Sequence, residues 1–458
     1  MNSDSIAQTF RSFIRRQSAL LGAAGWITAA YILQQFLRIA TSVALAWLLA
    51  PELLGVMLLI NTLRTGGELL TDIGVGQSII NNPDGDNPHF YNTAWTLQVL
   101  RGAALLFAVS ALSLPLAHFY GNPKLSVLLP ITSISFFVGG LTSPARFIIQ
   151  RRMGLKRLAI FDAATYLITA ITQIGLAAIT PTIWALVIGL LVAVGVQSGA
   201  SYALLAERMP AFVWDRKAAH SIIHFGKWIF ASSLIYFAAL NFDRLYFAKV
   251  ISISMLGVYG IARSYVDSIL LLFQRLANLI VFPKVSVAQL DSQELRARIL
   301  PLRLGTTLFT AIGLALVVAV SDQFILLAYD ARYSSAALFL PILLVGAWFA
   351  ILAVFSDAIM MGIGKPSSSA WANAAKLLFV VSVVPQILPR EGMIGAVVMF
   401  AFAEIVRYGV LTWRSWRNGL SFVRQDALTT LVFFGSILLF REIAATVDLG
   451  HGFASWGT

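Results

Sequence analysis

Ionisable side chains stranded inside apolar runs carry the chemistry that this sequence offers: the arginines Arg38, Arg64, Arg101 and Arg263, and the acids Glu68, Asp72, Asp243 and Asp267. Their spacing is regular. Arg64, Glu68 and Asp72 fall at i, i+4 and i+8, which reads as one polar stripe along a helix, and Arg263 and Asp267 repeat the i, i+4 step. Asp243 adjoins Arg244, and Glu404 precedes Arg407 by three. A guanidinium offers a planar fork of donors that matches phosphate oxygens in a bidentate way. The four arginines are therefore expected to contact a diphosphate group. A carboxylate held in hydrocarbon is costly when charged, and taking up a proton or a sodium ion relieves that cost. Glu68, Asp72, Asp243 and Asp267 are accordingly expected to form an ion-coupling site. The alternative is that each arginine pairs with its own acid or a backbone carbonyl and serves only to fix helix packing.

Other chemistry is missing. The chain has no cysteine, which removes disulfides, thiolate metal sites and cysteine nucleophiles. His220 and His224 share a helical face, but no third ligand accompanies them, and an ordinary interfacial pair is the expectation. No catalytic constellation, metal site or cofactor motif is visible, so a non-enzyme without a cofactor is expected.

The elements that position these charges are membrane spans. Of 458 residues, 58% are hydrophobic and only 12% charged, about half the charge of a soluble globular chain, which excludes an ordinary soluble fold. A bilayer core needs roughly 20 apolar residues per helix. Twelve such runs are expected, at 19–49, 55–80, 93–117, 124–148, 158–179, 183–206, 225–249, 255–282, 304–321, 336–362, 371–388 and 393–412. A thirteenth candidate, 427–447, contains Arg441 and Glu442 and either crosses or lies partly in the interface. No break is long enough for a soluble catalytic domain. Before the first run, Ile6, Phe10, Phe13 and Ile14 follow helical spacing with Arg11, Arg15 and Arg16 between them, which suits an amphipathic tail on the membrane surface.

Orientation follows from the basic residues. With the N-terminus cytoplasmic, 20 Lys and Arg fall in cytoplasmic segments and four on the opposite face, the bias the positive-inside rule requires. The net charge of +12 is thereby a topology signal facing anionic lipid, not a nucleic-acid signal.

An internal repeat is visible at a single offset of 202 residues. Trp26 falls on Trp228, and Leu54-Gly55-Val56 on Leu256-Gly257-Val258. The predicted organisation is a cytoplasmic amphipathic tail (1–18), a six-helix lobe (19–206), a cytoplasmic linker (207–224), a second six-helix lobe (225–412) and a C-terminal segment (413–458). Six is even, so the lobes are parallel repeats, as in transporters that rock around a central cavity. The expected fold is an all-α polytopic membrane protein.

At the level of motifs the chain resembles the polysaccharide transporter family, which includes Wzx-type oligosaccharide flippases, of the multidrug/oligosaccharidyl-lipid/polysaccharide superfamily. The resemblance covers roughly residues 15–415. It is carried by Asn241-Phe-Asp243-Arg244, Leu256-Gly257-Val258-Tyr259-Gly-Ile-Ala262 and Phe282-Pro283-Lys-Val-Ser286, with Asp72-Ile-Gly74, His118-Phe-Tyr120, Gln150-Arg151-Arg152-Met153, Trp184-Ala-Leu-Val187 and Phe225-Gly226. Two corners depart from the family pattern, at Thr180-Pro-Thr182 and Ala248-Lys249. The resemblance implies a V-shaped pair of lobes and the movement of a polyprenyl-diphosphate-linked oligosaccharide from the inner to the outer leaflet of the cytoplasmic membrane, for surface polysaccharide, exopolysaccharide or lipopolysaccharide biosynthesis. Membrane lipids, a polysaccharide polymerase and glycosyltransferases are the partners such a task would involve, and nucleic acid is not.

Rival readings remain open on the residues alone. A multidrug exporter of the same superfamily would bind organic cations in an acidic, aromatic cavity, and nine arginines against eight acidic residues in the spans do not separate the two. A membrane enzyme of polysaccharide assembly would need a sizeable extramembrane loop or acidic metal ligands. A mere scaffold would have little reason to bear so many intramembrane charges.

Overall fold

The computed structural model describes residues 33–152, 154–205, 208–282, 285–286 and 292–446. The expected amphipathic tail 1–18 and Trp26 lie outside the described residues. The protein is an all-α polytopic membrane protein. Its helices are α1 (33–48), α2 (Pro51–Leu70), α3 (Val75–Asn81), α4 (Pro88–Tyr120), α5 (Leu125–Gly140), α6 (Ala145–Arg151), α7 (Leu155–Ile179) and α8 (Ile183–Ser201). They continue with α9 (Arg216–Val250), α10 (Ile253–Leu276), α11 (Ser292–Ala328), α12 (Ala336–Gly362), α13 (Ser367–Arg417) and α14 (Val423–Thr446). Among the described residues, nine helices are each long and apolar enough to cross a bilayer, and the pair α5 and α6, bent by 51°, makes up to a tenth.

Local chemistry sets the ends of these helices. Asn87 caps α4, accepting from the His89 N–H at 2.9 Å, with Pro88 following it. The same helix stops at Gly121, whose φ of 63° only glycine adopts without strain. Ser252 caps α10 in the same way, its Oγ accepting from the Met255 N–H at 3.2 Å. Gly392, at φ 65°, turns α13 into two helical halves where the sequence places the break between the spans 371–388 and 393–412.

The predicted span 55–80 is broken. Helix α2 ends at Leu70, residues 71–74 turn, and α3 starts afresh after Gly74 at φ 67°. The Asp72 carboxylate accepts from the Gly74 N–H at 2.9 Å, a local turn that competes with the helix. Asp72 therefore does not continue the helical stripe of Arg64 and Glu68.

Two compact units emerge from the packing: residues up to Leu49 with Leu63–Ala231, and Ala50–Thr62 with Ser232–Thr458. In the first, α4 packs along α5 with backbone nearly touching backbone. A methyl group on Gly102 would come 2.4 Å from the Phe136 carbonyl oxygen, and one on Gly140 would come 2.9 Å from that of Gln98, so small residues make this approach. One end of this unit is latched by Asp86, which accepts from Arg152 at 2.8 Å and from Arg208 at 2.6 Å. Those two guanidinium groups hold its carboxyl below the usual aspartate range.

The second unit is built around α12. Its residues Trp348, Ile351 and Leu352 are fully buried, as a helix apolar on all sides must be when it sits inside a bundle. Helix α14 resolves the question of the thirteenth run. Arg303 on α11 pairs with Asp426 on α14, and Asp322 on α11 pairs with Arg441 on α14 at 2.5 Å. The two helices thus run parallel, and α14 is tied to α11 near both ends. Trp348 stacks on Phe433 with ring centroids 5.0 Å apart and donates to the Thr430 hydroxyl at 3.0 Å. Arg441 is only 3% exposed and is neutralised by Asp322, so its charge does not push α14 into the interface.

Candidate functional site

The first unit holds a polar cavity of about 470 Å³, lined by Glu68, Asp72, Gln77, Gln98, Arg101 and Ser135 among others. Helix α2 delivers Glu68, the turn after it delivers Asp72, and α4 delivers Gln98 and Arg101. The Arg101 guanidinium is held from three sides. Its Nε donates to the Thr71 hydroxyl at 2.9 Å, one Nη donates to the Glu68 backbone carbonyl, and the other lies 3.7 Å from the Asp72 carboxylate. Gln98 donates to the carbonyls of Gly139, Gly140 and Thr142 at 3.1–3.3 Å, satisfying the end of α5 where it bends toward α6. Arg64 pairs with Glu68 at 2.9 Å.

The four arginines expected to act together do not share one site. Arg101 lines the cavity, Arg64 reaches it only through Glu68, and Arg38 lies half-buried within electrostatic reach of Tyr166 on α7. Arg263 belongs to the second unit. The cavity gains instead Gln77, Gln98 and Gln150, neutral amides that a search for charges passes over.

In the second unit a buried charge network joins α9, α10 and α13. Arg263, 6% exposed, lies 3.4 Å from the Asp243 carboxylate and 3.2 Å from that of Asp267. The Tyr259 hydroxyl donates to Oδ2 of Asp243 at 2.5 Å. Arg244 donates to Asp267 and, at 2.8 Å, to the Asn241 side-chain carbonyl. Beside this cluster Lys376 donates to Glu404, and Arg407 lies 3.9 Å from the other oxygen of Glu404. Oδ1 of Asp243, like Oε2 of Glu404, Oδ1 of Asp357 and Oδ1 of Asp322, is buried without a hydrogen-bond partner among the described residues, a state that buried polar atoms rarely tolerate; of the four acids expected to couple an ion, Asp243 alone shows it.

Two placements correct the sequence reading. Lys376 falls inside the predicted span 371–388 yet is one of the 20 basic residues counted as cytoplasmic there; it lies within α13 and is 4% exposed. Arg303, counted on the same face, is 3% exposed in α11 and clamped by Asp426. Each has an acid that offsets its desolvation, which is why it can leave water; the signal in the sequence is Glu404 for one and Asp426 for the other. Removing two basic residues from the cytoplasmic total leaves the bias toward that face intact.

His220 and His224, both exposed on α9, have ring centroids 5.9 Å apart. Among the described residues no group of three His, Cys, Asp or Glu side chains comes together at metal-binding range.

With this geometry established, comparison with known proteins is decisive for the family. The family model described as polysaccharide biosynthesis protein matches residues 44–338. The chain belongs to that family. It is 21% identical over 355 residues to the teichuronic acid biosynthesis protein TuaB of Bacillus subtilis, covering 76% of this chain and 72% of that one. It is 20% identical over 393 residues to the lipopolysaccharide biosynthesis protein WzxC of Escherichia coli, covering 85% and 79%. Among solved structures, the lipid II flippase MurJ in an inward closed conformation matches with a TM-score of 0.70 at 14% identity, covering 92% of this chain and 99% of that one. An inward-facing multidrug resistance MATE transporter matches with a TM-score of 0.60 at 12% identity, covering 89% and 98%. At such identities the structural matches establish the fold, which is that of membrane transporters.

Proposed function

We propose that this protein flips a polyprenyl-diphosphate-linked oligosaccharide from the inner to the outer leaflet of the cytoplasmic membrane, by alternating access of two six-helix lobes, 19–206 and 225–412, with the N-terminus cytoplasmic. The observation that carries the reading is the cavity that gathers Arg101, Glu68, Asp72 and three glutamines inside a membrane unit, in a chain of the polysaccharide biosynthesis family. A polyprenyl tail is at home in lipid, whereas a diphosphate and its sugars are not, so the protein need only shelter the head group. Arg101 supplies a fixed guanidinium for phosphate oxygens, and the cavity's amides suit sugar hydroxyls. Arg38, Arg64 and Arg263 complete the proposed set of substrate-contacting arginines at other stages of passage.

The coupling site is proposed among Glu68, Asp72, Asp243 and Asp267. Asp243 leads this group, because a proton on its unpartnered Oδ1 would remove a buried charge, and a cation met when the unit rearranges would give that oxygen a partner. A multidrug exporter is the second reading, favoured by the shared fold with MATE transporters and by the acids beside Arg101.

Deletion of the gene separates the two. Build-up of lipid-linked repeat units on the cytoplasmic leaflet, with loss of surface glycan, is the expected result. Unchanged glycan with raised drug sensitivity would favour the exporter.

A further inference from the structure

The second unit holds a larger cavity than the first, of about 1120 Å³. Among the described residues, α10 and α11 both pack along α12 but hardly touch each other, and the cavity fills the gap between them. Phe273 of α10 and Phe355 of α12 form part of its wall, edge to face with ring centroids 6.2 Å apart. Its rim faces lipid, because Phe309 is 83% and Leu302 42% exposed.

The 202-residue offset lays this cavity on the polar one of the first unit. Arg101 falls on Arg303, Glu68 on Leu270, Asp72 on Gln274 and Gln98 on Leu300. Both copies of the repeat thus hold a cavity, but the lining has changed: the described residues around the second include no acid and no amide. The Thr306 and Thr310 hydroxyls donate back to α11 carbonyls, at 3.0 Å and 2.7 Å, and add no donor to the wall. Arg303 is buried against Asp426, which leaves Arg298, near the start of α11, as the exposed cation among the described lining residues.

We propose that this groove is a binding site for one glycerophospholipid of the bilayer, with its phosphate on Arg298 and its two acyl chains between α10 and α11. An exposed guanidinium at the end of an apolar channel is complementary to a lipid phosphate. From Arg298 to Val317, α11 rises about 28 Å, enough for a chain that crosses one leaflet, half of the ~30 Å core. If a methylene group takes roughly 30 Å³, about the share of a water molecule, the 1120 Å³ hold roughly 37 of them, which matches two chains of about 16–18 carbons. The single, much longer chain of a polyprenyl phosphate overfills that space. A lipid seated here also fills the side of α10 just beyond Asp267, and so supports the helix that carries half of the buried charge network. The site requires a membrane but no particular cargo.

The test uses the purified full-length protein, washed free of lipid and titrated with dioleoyl phosphatidylglycerol whose chains carry a photoactivatable diazirine. Native mass spectrometry is expected to show one retained copy, and photolysis to tag Phe355, which at 5% exposure lies beyond the reach of bulk lipid. A Cβ on Gly313 meets nothing within 4 Å, so Gly313→Trp puts an indole into the open groove and is expected to cut tagging at least ~10-fold. Arg298→Ala is expected to weaken binding roughly 10-fold, the loss of one charge-assisted contact. Unlabelled polyprenyl phosphate is expected not to displace the probe. Tags spread over the lipid-facing surface and missing from Phe355 would show only the ordinary lipid around any membrane protein. Undiminished tagging of Phe355 in a folded Gly313→Trp variant, or displacement of the probe by polyprenyl phosphate, would show a different site or a different occupant. Any of these results overturns the proposal. The tag positions and the competition are read on the unmodified chain, so they decide the matter even where a variant fails to fold.

Discussion

At the scale of single residues, Arg101 and Asp243 carry the proposed substrate and coupling roles. Arg101 is fixed by Thr71, the Glu68 carbonyl and Asp72, so its guanidinium is oriented before any substrate arrives. Losing a charge-assisted hydrogen bond costs about 1.5–3 kcal/mol; Arg101→Ala should lower the rate of lipid-linked glycan transfer in vesicles by roughly 10- to 100-fold. Arg101→Lys should recover only part, because an ammonium cannot reproduce the fork. Wild-type rates of transfer by both variants would remove Arg101 from the substrate path. For Asp243 the test is coupling. Asp243→Asn keeps the shape and retains a partner for the Tyr259 hydroxyl, while Arg263 still has Asp267. It should leave the protein folded and make transfer insensitive to imposed proton or sodium gradients. Retained gradient dependence would move the coupling site elsewhere. Both residues were legible in the sequence as candidates, because a charge within an apolar run is conspicuous. Which arginines act together was not, because Arg38, Arg64, Arg101 and Arg263 look alike until packing distributes them over separate helices.

At the scale of elements, the buried ion pairs decide which helices join the bundle. Helix α14 is doubtful in the sequence because Arg441 interrupts its apolar run, and a charge cannot announce its partner 119 residues away. The pairs Arg303–Asp426 and Asp322–Arg441 make it a full member of the second unit. Breaking a buried pair from one side strands the other charge, at about 3–5 kcal/mol. Arg303→Ala should therefore lower the melting temperature of the purified protein sharply, whereas the apolar double variant Arg303→Met with Asp426→Leu should regain most of it. Equal stability of the single and double variants would contradict a buried pair. The Asp86 latch behaves differently because it faces water. Its carboxyl is held low by Arg152 and Arg208, so its contribution to stability is present above the ordinary aspartate range and is lost as pH falls through the depressed value. The stability difference between the wild type and Asp86→Asn should stay level from pH 8 to pH 5 and fade only below about pH 4.

At the scale of the whole molecule, the all-α membrane fold was legible because hydropathy is a strong, local signal. The 202-residue offset lays Gly55 on Gly257, and the structure shows the two glycines in reciprocal contact. The turn that breaks 55–80 was hidden, because Gly74 at positive φ looks like any glycine in an apolar run. The cavity was hidden for a different reason: its glutamines are uncharged and come from separate helices. What joins these scales is a membrane unit that shelters polar groups around one prepared arginine. The most direct measurement of the central claim is the leaflet distribution of lipid-linked repeat units in cells lacking this protein, read by their accessibility to an impermeant glycosidase. The account predicts repeat units trapped on the cytoplasmic leaflet, released to the outer leaflet by the wild-type chain and not by Arg101→Ala. Repeat units reaching the outer leaflet at the normal rate without the protein would contradict it.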